Sequence, residues 1–89
     1  MLKVEFWSNQ FVDNDPKQTL RGYLFLEDNK IKLRPDPSDL EKNRSLLRSI
    51  MSEQTPKEKK LMKESPAKWV RSLPQKYSGT YFMAELVEG

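Results

Sequence analysis

Leu20-Arg21-Gly22-Tyr23-Leu24-Phe25-Leu26-Glu27-Asp28-Asn29-Lys30-Ile31-Lys32-Leu33-Arg34 decides the fold. Two alternating runs flank Asp28-Asn29, a pair whose side chains bond nearby backbone and tolerate tight turns. Alternation of period two means strands, and a two-residue loop between them means a β-hairpin. With Asp28 and Asn29 as the loop, Leu26 pairs with Ile31 and Leu24 with Leu33. Those four, with Leu20, form one apolar face. The opposite face pairs Phe25 with Lys32 and Tyr23 with Arg34.

Working outward, residues 2–7 alternate too. Leu2, Val4 and Phe6 face one way and Lys3, Glu5 and Trp7 the other, as in a strand with one buried face. Asp13-Asn14-Asp15-Pro16 reads as a turn. After the hairpin, Asp36 followed by Pro37 is a helix-start signature, with Ser38-Asp39-Leu40-Glu41 as an alternative capping box. Leu40, Leu46, Leu47, Ile50 and Met51 then fill one arc of a helix to about Ser52. Thr55-Pro56 and Ser65-Pro66 open two more segments. The first has only adjacent Leu61 and Met62 as apolar residues, so 56–64 is either helix or loop. The second places Trp69, Val70 and Leu73 at helical spacing, with Ser65 as its cap and Pro74 ending the run. Ser78-Gly79 leads into a closing strand over 80–87, with Phe82, Ala84 and Leu86 on one face. Its apolar character on both faces predicts a central place in the sheet. The expected fold is α+β: an antiparallel or mixed sheet of about four strands (N-terminal strand, hairpin, C-terminal strand), with two or three helices between hairpin and last strand.

Composition bounds the rest. Eighty-nine residues suit a single domain, 1–89. Only 36% are hydrophobic and 33% charged, yet nine aromatic side chains argue for a packed core. Segments 1–34, 35–64 and 65–89 each carry a net charge of +1, so no tail dominates the total of +3. A pI near 9.2 permits a nucleic-acid partner without demanding one. Cysteine is absent, which removes disulfides and thiolate metal sites. No signal-peptide pattern and no long apolar run occur, so the expectation is a cytoplasmic protein away from membranes.

Catalytic chemistry finds little purchase. Histidine is absent, and with it the commonest general base and zinc ligand. Ser65-Pro66-Ala67-Lys68 has a Ser-x-x-Lys spacing, but its companion motifs are missing. Asp13-Asn14-Asp15 opens like a calcium loop, yet Lys17, Gln18 and Leu24 stand where ligands and glycine are required. Three glycines allow no phosphate-cradling loop. No enzyme activity, cofactor or metal is expected.

Two surfaces remain as candidates. Trp7, Phe11, Tyr23 and Phe25, with Lys32 and Arg34, could form an aromatic and cationic face for a protein partner or a second copy. The alternative is a nucleic-acid-binding accessory domain, stacking bases on Tyr23 and Phe25. Arg21 to Leu26 overlaps the aromatic strand motif of RNA-recognition-motif domains. However, Leu24 replaces its small residue, Asp28 a further aromatic, and only about twenty residues precede it, so the overlap assigns no family. The second surface is a basic patch of Lys57, Lys59, Lys60, Lys63, Lys68 and Arg71 within a window, 57–76, of net charge +5. Strand order, and hence which sheet face is exposed, is not fixed by these patterns, nor is the oligomeric state.

Overall fold

The computed structural model describes residues 2–12 and 15–88, with the side chains of 10–12, 15, 16 and 88 outside that description. Strands β1 (Leu2–Val12), β2 (Asp15–Glu27) and β3 (Lys30–Pro35) come first. A 3-10 turn (Pro37–Asp39) leads to α1 (Leu40–Ser52), α2 (Pro56–Glu64) and α3 (Pro66–Lys76), and β4 (Phe82–Glu88) closes the chain. The strands form one antiparallel sheet in the order β3-β2-β1-β4, so the fold is α+β.

The hairpin takes the register its alternation implies: Leu26 opposite Ile31, Phe25 opposite Lys32, Leu24 opposite Leu33 and Tyr23 opposite Arg34. Asp28 and Asn29 both adopt positive φ, 52° and 60°, the pattern of a two-residue turn that matches strand twist. β1 is longer than the alternation over 2–7 predicts and pairs with β2 from Leu2–Leu26 to Val12–Asp15. Of the expected turn at 13–16, Asp13 and Asn14 lie outside the described residues, while Asp15 and Pro16 begin β2.

One register shift alters the sheet. Phe6 pairs with Gly22 but Trp7 pairs with Leu20, leaving Arg21 as the extra residue of a β-bulge. The alternation resets there. Leu20 joins Trp7 on the far face instead of Leu24 on the near one, and Arg21 takes the near side. Gly22 makes the bulge feasible: its φ is 146°, and a Cβ there would lie 2.6 Å from the Arg34 carbonyl oxygen and 3.0 Å from Leu47 Cδ1.

The helices follow their caps. Asp36 accepts from Ser38 N at 2.8 Å, which opens the 3-10 turn and holds the Asp36 carboxyl below its usual pKa. Asp39, at the start of α1, makes no side-chain cap, so the alternative box at 38–41 does not form. Residues 56–64 are helical. Thr55 and Glu58 form a reciprocal capping box, and local capping compensates for a helix with no buried residue. α3 begins without a bond from the Ser65 hydroxyl and runs past Pro74, correcting both expectations. Proline near a C-terminus deprives only one carbonyl, and the helix still closes with Tyr77 N on Leu73 O at 2.9 Å.

Val4, Phe6, Leu24 and Ala84 from the sheet meet Leu47 and Ile50 of α1 and Trp69, Val70 and Leu73 of α3. Leu61 and Met62 of α2 pack against the margin. Leu40 and Leu33, expected in this core, are 44% and 36% exposed: one opens α1, the other lies on an edge strand. β4 is also an edge strand, not a central one. Its outer side is partly covered, because Ala84 N donates to Tyr77 O at 2.7 Å and Met83 bridges Ser78. No helix is long and apolar enough to cross a membrane among the described residues.

Candidate functional site

All three helices place their packing residues on the side of Val4, Phe6 and Leu24. The register therefore sets three cross-strand rows on the other side. Val87, Lys3, Phe25 and Lys32 form one; Glu85, Glu5, Tyr23 and Arg34 the next; Met83, Trp7 and Leu20 the third. Five of the six residues expected to share this face are thus brought together in these rows: Trp7, Tyr23 and Phe25 on the central strands, and Lys32 and Arg34 on β3. Phe11 sits on β1 where it pairs only with β2, and its side chain lies outside the described residues.

The aromatic rings are not bare. Lys3 Nζ stands 4.3 Å from the Tyr23 ring centre and the Arg34 guanidinium carbon 5.4 Å from that of Phe25. The two rings are 6.4 Å apart and tilted. Phe25 is only 8% exposed although no helix lies over it. Its cover is the cation-bearing side chains around it, whose stems shield apolar surface while their heads stay wet. Lys32 is also tied to Glu27 at 3.2 Å. Trp7 Nε1 and Asn9 Oδ1 are buried on this face without hydrogen-bond partners among the described residues.

Charge is unevenly spread across the open face. Lys30, Lys32 and Arg34 line the β3 side, while Glu5 and Glu85 lie directly opposite one another on β1 and β4. Like charges at facing positions destabilise a ladder unless something else draws them in.

The basic patch is divided between two helices. Lys57, Lys59, Lys60 and Lys63 belong to α2, Lys68 and Arg71 to α3, and all six are exposed. Lys57 and Lys60 border a shallow depression of about 450 Å³ that also contains Glu58 and Glu64, so acid is interleaved with base. Glu58 is held below its usual pKa chiefly by its bond to Lys76 at 2.6 Å and then by the Thr55 backbone.

Two buried polar centres escaped the sequence reading. Gln54 accepts from Trp69 Nε1 at 3.1 Å and donates to Ile50 O at 2.7 Å and to the Tyr77 hydroxyl at 3.3 Å. Burial, reinforced by Glu53, raises the Tyr77 pKa. Arg21, 8% exposed, donates through Nε to Ser8 Oγ at 2.7 Å and through Nη1 to Asn43 Oδ1 at 3.4 Å. The glycine following Arg21 inside an alternating strand was the available signal for a bulge. Among the described residues, no group of three or more acidic side chains is placed to hold a metal.

The fold and these surfaces define a small α+β domain with helices on one side of its sheet and an aromatic, charged face on the other. No family model, curated protein or solved structure matches the chain.

Proposed function

We propose that the chain is a non-catalytic interaction domain that self-associates through its open sheet face. One observation carries the reading: three helices cover a single face, and the other presents Trp7, Leu20, Tyr23 and Met83 between a basic and an acidic margin. A twofold axis through such a face lays the β3 cations of one copy over Glu5 and Glu85 of the other. The surface is self-complementary in the way an isologous dimer requires. Both sheet edges are less suited to pairing. β3 carries Lys30, Lys32, Arg34 and Pro35, which discourage strand addition, and the 77–78 segment covers part of β4.

Sedimentation equilibrium over a concentration series tests this. A dimer is expected, weakened by Glu85→Lys and partly restored when Arg34→Glu is added in the same chain. A monomer at every concentration overturns the reading. So does single-stranded oligonucleotide binding that falls steeply with salt and with Tyr23→Ala, which assigns the face to nucleic acid.

A further inference from the structure

Arg21 lies on the helix-covered side of the sheet, away from the proposed dimer face, and its chemistry is incomplete. A guanidinium has five N–H donors and is always charged. Two of the five are used, on Ser8 and Asn43. Asn43 is itself fixed, donating its amide to Asp36 O at 3.2 Å, which turns its oxygen to Arg21. Among the described residues no carboxylate lies within ion-pair distance of Arg21. A charge this buried, without a counter-charge, is an unusual thing for a fold to retain.

Arg21 lines a groove of about 380 Å³ between α1 and the bulged strands. Lys42 supplies a second cation to it, and it too has no carboxylate partner among the described residues. Ser8 accepts from Arg21, so its own proton points elsewhere, and the Ser45 hydroxyl has no hydrogen-bond partner among the described residues. Ser49, also on the rim, is turned to Ser45 O at 3.1 Å. Leu46 and Phe82 form the apolar end of the groove.

We propose that this groove is an anion site that takes a phosphate monoester, with Arg21 as its buried anchor and Lys42 as the second charge. The donors favour phosphate over carboxylate. Three guanidinium N–H groups, an ammonium and two hydroxyls exceed what two carboxylate oxygens accept. They suit three terminal phosphate oxygens carrying nearly two negative charges. Leu46 and Phe82 provide a surface for the organic part of the ester. The bulge explains the placement, because it turns Arg21 inward at a position where strict alternation would put it on the far face.

The test is a titration of the full chain with phenyl phosphate, inorganic phosphate and benzoate, followed by backbone amide shifts. Saturable shifts at Ser8, Arg21, Gly22, Ser45 and Ser49 are expected with both phosphates and not with benzoate. Tighter binding of phenyl phosphate marks an ester site, and equal binding a free-phosphate site; both support the anion site. Lys42→Gln, an exposed change that spares the core, is expected to weaken phosphate binding about tenfold, as losing one 1.4 kcal/mol interaction would. Arg21→Lys, which keeps the charge and loses the fork, is expected to weaken it further. Shifts absent from these residues, or unchanged by Lys42→Gln, overturn the proposal, as does equal binding of benzoate.

Discussion

Leu24 and Phe25 are neighbours on β2, point to opposite faces, and are both nearly inaccessible: 0% and 8% exposed. What hides them differs. Leu24 is packed beneath Leu47, Trp69 and Leu73, side chains locked in their own helices. Phe25 is screened by Arg34 and by the cross-strand neighbours Lys3 and Lys32, long side chains whose charged ends make only surface contacts: Lys32 with Glu27 and Lys3 over the Tyr23 ring. Equal burial therefore hides unequal commitment. One face is a core; the other is a surface covered by its own long charged side chains.

The largest expected effect comes where core and sheet approach most closely. Gly22→Ala places a Cβ 2.6 Å from the Arg34 carbonyl oxygen, at a φ that side chains rarely adopt. Backbone strain and overpacking together imply a loss of about 4 kcal/mol. That is a large fraction of the roughly 5–10 kcal/mol a domain this size holds. The urea midpoint measures it, and a loss below about 1 kcal/mol would show that the bulge is not where α1 is pinned to the sheet.

The comparison itself is sharpened by a pair of truncations. Leu24→Ala is expected to lose about 3 kcal/mol, since helix side chains cannot collapse into the cavity. Phe25→Ala removes a larger side chain, yet its expected loss is about 1.5 kcal/mol, because Arg34 and the lysine stems can close over the gap or let water in. Equal losses in urea titrations would mean that the open face is packed as rigidly as the covered one, and the contrast would fail.

The same contrast explains what was legible in the sequence. Alternation in 2–7 and 20–34 located the hairpin, its register and the separation of Val4, Phe6 and Leu24 from Trp7, Tyr23 and Phe25, because period two is a property of each strand alone. Strand order is not local. β4 has apolar residues on both faces, which reads as central, yet it lies at the edge with its outer side partly covered by residues 77 and 78. The bulge at Arg21 shifts faces by one residue, so Leu20 moved out and Arg21 moved in, and with Arg21 went the groove. That Trp7, Tyr23, Phe25, Lys32 and Arg34 share one face was legible, while the Phe11 side chain lies outside the described residues; the buried polar centres were not, because Asn43 and Gln54 look like surface residues until α1 is docked.

At the margin of the covering layer, α2 buries no residue and rests on its cap. Thr55→Ala removes the hydroxyl that accepts from Glu58 N at 3.1 Å and is expected to lower stability by about 1 kcal/mol. A loss near zero in thermal melts would show that Leu61 and Met62 hold the helix without its cap.

The smallest effect is the pH dependence of that same margin. Glu58 bonds Lys76 at 2.6 Å and the Thr55 backbone N–H at 2.8 Å, both of which favour its charged form and lower its pKa in the fold. A lowered folded pKa means that the unfolded chain takes up the proton first. The stabilisation is then complete above the ordinary value of 4.5 and is lost as pH falls through the lower folded value. Asp36, lowered by its bond to Ser38 N, adds acid sensitivity of the same sign, so the whole protein weakens in acid even without Glu58. The difference between wild type and Glu58→Gln isolates one carboxylate. It is expected to be present at neutral pH, to shrink below pH 4.5, and to shrink at every pH as salt rises, because the pair is partly exposed. A difference constant with pH would place the Glu58 contribution in neutral hydrogen bonding at the cap, leaving the helix margin insensitive to charge.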